Sequence, residues 1–222
     1  MTQKTRMIIV MVAASLGAFQ AMGQIIPLTP SSLEPMNTKV EEVRYKGKNV
    51  LKVTALPGGS AVAIVKGQEF KNGTIEVELS GAPGPNADST NRGFIGVSFR
   101  IQKGDTLGYE TIYLRPTNGR STDQLRRNHA VQYSSHPNYS WFRLRKENPG
   151  LYESYADLVP GEWTKVKIVV KDKQAKLYVH DAAQPCLIVN DLKRGISAGS
   201  VGLWADVGVD GYFRNLKVTP AK

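Results

Sequence analysis

From residue 40 onward, apolar and polar side chains alternate with period two, and Gly, Pro, Asn or Asp interrupts the pattern every eight to twelve residues. Successive side chains of a strand point to opposite faces, so such alternation marks strands buried on one side. The stretch VEEVRYKGKNVLKVT (40–54) reads as two strands around a turn at 46–49, and FKNGTIEVELS (70–80) opens on Asn72-Gly73 and then alternates. Further strands are expected at 94–102, 109–116, 129–134, 140–145, 162–171, 175–180, 186–190, 200–205 and 212–218. No segment after residue 24 holds a helical period over three turns; a short helix at 122–128 or 152–158 is the most the pattern allows. Many short strands without an internal repeat or linker imply one all-β sandwich, barrel or jelly roll, its sheets each burying one face. One β-sandwich is the expectation.

The first residues follow another logic. Lys4 and Arg6 precede a mostly apolar run, Met7 to Phe19, too short to span a bilayer comfortably, and Ala21-Met22-Gly23 supplies small residues for cleavage. Residues 1–23 therefore read as a signal peptide, 24–39 as an N-terminal extension and 40–222 as the sandwich domain, exported to the periplasm or beyond. Of the 29 Lys and Arg, two lie in that leader, so 27 face 19 Asp and Glu in the mature chain. A basic chain often binds nucleic acid, but export directs the expectation to carbohydrate, including an anionic polysaccharide. The single cysteine, Cys186, has no partner in the chain, so stability must come from burial.

Several motifs carry chemistry elsewhere. GISAG (195–199) has the letters of a nucleophile elbow, but that device needs a helix after the serine and a histidine further on; here a strand follows Ser197 and no His occurs after His180. Glu76 and Glu78 share a strand face about 7 Å apart, a spacing glycosidases use, although alternating charge on a solvated face accounts for it as well. His129, His136, His180 and Cys186 lack metal-site spacing, and Asp206 and Asp210 fit a turn better than a calcium loop. No metal or cofactor is expected. The strongest signal is the basic segment 115–146, which holds seven Arg and Lys against Asp123, interleaved with Tyr133, Tyr139 and Trp141. Arginine forks suit carboxylates and aromatic rings stack on sugars; arginines paired with acids elsewhere would give the same composition.

Taken together, FKNGTIEVELSG, GFIGVSFR, YETIYLRP, PGEWTKVKIVVKDKQAKLYV and SVGLWADVGVDGYFRNLKV resemble the concanavalin A-like lectin/glucanase jelly roll, also called laminin-G-like. Within it the chain is most similar to bacterial exported domains of the 3-keto-disaccharide hydrolase group, through the strand ending in Arg100 and through Gly108-Tyr109-Glu110. Where that group continues Gln-Ile-x-Asp, this chain has Thr111-Ile112-Tyr113-Leu114. The resemblance implies two antiparallel sheets and a glycan groove on the concave sheet face. Alternation sets Tyr113 and Arg115 opposite Glu110, Ile112 and Leu114, and brings Arg100, Gln132, Trp141 and Arg143 outward. The expected ligand-binding set is thus Arg100, Tyr113, Arg115, Gln132, Trp141 and Arg143. A glycoside or 3-keto-glycoside hydrolase, with Glu110 as acid/base and Arg100 stabilising charge, is the alternative.

Overall fold

The computed structural model describes residues 23–58 and 61–221. Fifteen strands are described: β1 (Gln24–Ile25), β2 (Leu33–Met36), β3 (Thr38–Tyr45), β4 (Lys48–Ala55), β5 (Val62–Val65), β6 (Gly73–Pro83), β7 (Ile95–Gln102), β8 (Gly108–Leu114), β9 (Val131–His136), β10 (Glu153–Ser154), β11 (Thr164–Lys171), β12 (Gln174–Val179), β13 (Leu187–Val189), β14 (Ser200–Ala205) and β15 (Val209–Pro220). Two short helices, α1 (Gln124–Asn128) and α2 (Trp141–Glu147), flank β9. One sheet runs β13-β12-β11-β6-β15-β4-β3, with β1 on β15; the other runs β10-β9-β8-β7-β14-β5-β2. All pairings are antiparallel. The result is an all-β jelly-roll sandwich of two antiparallel sheets.

Alternation builds the core. Ile75, Val77 and Leu79 from β6 and Val166, Ile168 and Val170 from β11 meet Val97, Phe99, Ile112, Leu114 and Leu203 from the opposite sheet. Each such side chain contributes about 1.5–3 kcal/mol when fully buried. Strand β5 does not alternate because both of its faces are covered. Ala63 and Val65 enter the main core, while Val62 and Ile64 join Ile101 and Tyr109 on the other side of the sheet.

Three expectations need correction. Residues 24–39 are no extension: β1 pairs with β15, β2 pairs with β5, and Leu33 is buried in the core. The strand expected at 140–145 is α2, begun by Ser140, whose Oγ accepts from the Arg143 N–H at 3.3 Å. No helix forms at 152–158; Glu153–Ser154 is an edge strand, and Tyr152, Ala156 and Leu158 are buried in the core. The expected signal peptide, residues 1–23, lies outside the described residues except for Gly23.

Candidate functional site: an aromatic groove on the β7–β9 face

Ser98 on β7 and Thr111 on β8 are register partners pointing away from the core, their hydroxyls 2.8 Å apart. Tyr109, Tyr113, Ser134 and His136 share that outward face through the β8–β9 register. Above them opens a groove of about 200 Å3 walled by Phe94, Tyr139, Trp141, Trp204 and Asp206. Its floor is packed closely. Gly96 lies opposite Tyr113, where a Cβ would come within 2.6 Å of the Tyr113 Cα. Tyr113 is only 4 % exposed and braces Trp204 at a ring separation of 5.0 Å and Phe94 at 6.2 Å. Tyr109 stacks on His136 at 4.9 Å. The accessible ring is Trp141, the first residue of α2, which is 43 % exposed.

Among the described residues, Asp206 is the one carboxylate lining this groove. Its Oδ1 accepts from the Val207 N–H at 2.8 Å, and burial, with Asp88 adding to it, pushes the carboxyl above the usual range. Asp210, two turns of the pattern away, pairs instead with Lys52 at 2.8 Å.

The expected ligand-binding residues do not assemble as one set. Tyr113 and Trp141 line the groove. Arg115 sits behind them, 5 % exposed: it donates to the Tyr113 hydroxyl at 3.1 Å, approaches Glu153 at 3.8 Å, and its Cζ lies 5.5 Å from the Trp141 ring centre. Gln132 faces outward beside Tyr113 but is fully buried, its Nε2 donating to the Tyr152 carbonyl at 3.1 Å. Arg143 is on α2, outside the groove, paired with Glu147 at 2.8 Å and over the Tyr139 ring at 4.5 Å. The other arginines of the basic segment are likewise engaged: Arg120 with Asp157, Arg126 with Asp123, Arg127 with the Tyr155 hydroxyl and Arg145 with Glu153. Its arginines hold the scaffold together.

Arg100 and Glu110 are corrected more sharply. A β-bulge disturbs both sides of β7, and Arg100 takes a positive φ of 53°. That reversal sends Ile101 to the outward cluster and takes the guanidinium to the Lys71, Asp172 and Gly195 carbonyls, at 2.9, 2.6 and 2.6 Å, and to Asn72 Oδ1. Arg100 is completely inaccessible. Glu110 points into the core, as alternation with Ile112 requires, and is also inaccessible. It accepts from the Tyr133 hydroxyl at 2.6 Å and the Arg194 N–H at 2.7 Å. Burial and the Glu110 charge push the Tyr133 phenol well above its usual value, so it stays a donor. Neither residue reaches the groove. The Glu76–Glu78 pair occupies the outer face of the other sheet, where Arg214 and Asn215 satisfy Glu78 and Lys217 approaches Glu76.

Phe94, Trp204, Asp206, His136 and Tyr139 were not singled out as groove residues from the sequence. Alternation does mark Trp204, since Val201 and Leu203 face inward and place it outward. The others sit at strand ends or in loops, where period two says nothing.

No protein-family model and no curated relative matches the sequence. Solved structures do match in three dimensions. The chain is similar to a carbohydrate-binding module, CBM66, from Bacillus subtilis, with a TM-score of 0.58 and 14 % identity over 85 % of this chain and 96 % of that one. A Bacillus subtilis protein of unknown function with a galectin-like fold gives 0.55 at 9 % identity, covering 85 % and 89 %. A glycosidic hydrolase gives 0.53 at 13 % identity, covering 91 % and 97 %. The fold is a concanavalin A-like jelly roll. At these identities the likeness concerns the fold.

Proposed function

We propose that this protein binds a carbohydrate in the groove on the β7–β9 face. The observation that carries the reading is a cleft with an exposed tryptophan on its rim and a hydroxyl-lined floor. Sugar rings present an apolar face that stacks on an aromatic ring and an edge of hydroxyls that hydrogen-bonds. Trp141 and Trp204 supply the stacking surfaces; Thr111, Ser134, His136 and Asp206 supply donors and acceptors. The shared fold with a carbohydrate-binding module supports the same reading. Binding is favoured over cleavage because glycosidases ordinarily work with two carboxyl groups. Asp206 alone lines the groove among the described residues, while Glu110 is sealed in the core. We also propose export, on the strength of the leader pattern. Titration calorimetry against an oligosaccharide panel tests the binding reading. Trp141→Ala or Trp204→Ala should weaken binding about tenfold or more; affinity unchanged in both variants would remove the groove from consideration.

A further inference from the structure

Glu110, Arg100 and Tyr133 are buried, polar and outside the groove, and all three converge on one turn. The Lys193 N–H donates to the Tyr133 hydroxyl at 2.8 Å, the Arg194 N–H to Glu110, and the Gly195 carbonyl accepts from Arg100. A buried carboxylate and guanidinium are costly to bring into a core, and a fully satisfied network rigidifies what it holds. What it holds here is the segment Lys193-Arg194-Gly195, one wall of a cleft of about 450 Å3. Ser135, His136, Asn138 and Tyr139 form the opposite wall, so the cleft and the aromatic groove share the segment 135–139.

The charge of this cleft is unbalanced. Among the described residues no carboxylate lines it. Lys193 is neutralised by Asp191 at 2.6 Å, but among the described residues the Arg194 guanidinium forms no ion pair. Its hydrogen-bond partners are uncharged: Gln102 Oε1 at 2.8 Å and the His136 carbonyl at 3.4 Å, while Nε is buried without an acceptor among the described residues. The guanidinium lies flat on Gly108, where a Cβ would come within 2.4 Å of Cζ. A planar fork of five donors held in one place, with positive charge unspent, matches a carboxylate or sulfate.

We infer that the Lys193–Gly195 turn and the 135–139 segment form an oxyanion site in which Arg194 binds a carboxylate or sulfate group. The anion is either a substituent of the saccharide in the neighbouring groove or a free ion; the saccharide half of this statement rests on the groove reading above. The test compares neutral oligosaccharides with the same compounds oxidised to uronic acids at the primary hydroxyl, together with inorganic sulfate alone. Wild type should bind the uronic set about tenfold to hundredfold more tightly at low salt, and the gap should close as salt rises. Arg194→Gln should abolish the gap and leave neutral affinity in place. Gly108→Ala, which displaces the guanidinium without removing it, reads the same site independently should R194Q fail to fold. If sulfate alone raises the melting temperature of wild type but not of R194Q, while no oligosaccharide binds, the oxyanion site stands and the groove reading fails. Equal affinity for the two sets with no response to sulfate overturns the inference, as does a preference that survives in R194Q and folded G108A.

Discussion

Glu153 has a side chain only 2 % exposed, and it gathers Arg145 at 2.6 Å, His129 at 2.9 Å and Arg115 at 3.8 Å around one carboxylate. Removing one partner of a buried charge cluster strands the others. Arg115→Ala is therefore expected to lower stability by about 3 kcal/mol, or roughly 6–12 °C in melting temperature for a chain of this size. A melting curve unchanged within a degree would show the cluster to be dispensable. Two histidines make stability depend on pH. Burial holds both His129 and His136 below the usual histidine value of 6.5; at His129 the Glu153 charge opposes it and Arg145 and Arg115 add to it, and at His136 Arg194 adds to it. As pH falls the unfolded chain takes up these protons first, so the stabilisation is complete above about pH 6.5 and is lost as pH drops toward the folded values. Melting temperatures measured from pH 7.5 down to 5 should fall, and His129→Asn with His136→Asn should flatten the slope. At this scale the sequence shows direction better than environment. Alternation correctly opposes Tyr113 to Glu110, but it cannot reveal that Arg115 is covered or that Glu110 has a phenol for a partner, because both facts depend on strands distant in sequence.

The helix α2 carries the groove's most accessible ring, and it is short. Five consecutive residues, Trp141 to Arg145, fit period two as well as they fit a helix, since Leu144 is the single buried residue of the element. The cue was Ser140 as a cap. Losing that cap costs about 1 kcal/mol, and Trp141 follows it directly. Ser140→Ala should therefore weaken saccharide binding several-fold while the melting temperature drops by only a few degrees; unchanged affinity would mean that Trp141 keeps its place without the cap. Long alternating strands such as β6 and β11 were legible because one face of each is core. Strand β5 was not, since cover on both faces erases the alternation. The bulge in β7 was invisible too: a single residue at positive φ moves Arg100 from the face that period two assigns it. Of the six residues expected to bind ligand, Tyr113 and Trp141 line the groove, while Arg100, Arg115, Gln132 and Arg143 are engaged elsewhere.

For the whole molecule, the sandwich closes at its N-terminus as well as in its middle. Gln24 and Ile25 pair with Val218 and Lys217. The proposed leader would end at Gly23, so the cleaved chain would begin on its first strand. Intact-mass measurement of protein recovered from the periplasm or medium should give a chain starting at Gln24; a mass retaining residues 1–23 would dismiss the leader. Of the chain's three tryptophans, Trp141 and Trp204 wall the groove. Trp163 leads into β11 of the sheet that does not carry the groove, in contact there with Arg214, 4.1 Å from its ring centre, and with Tyr45 at the end of β3. That distribution turns the protein into its own optical reporter. Two emitters sit where a ligand would displace water, and the third supplies a steady background from the far side of the sandwich. Occupancy of the groove would then be read as a blue shift of intrinsic fluorescence, without any label attached.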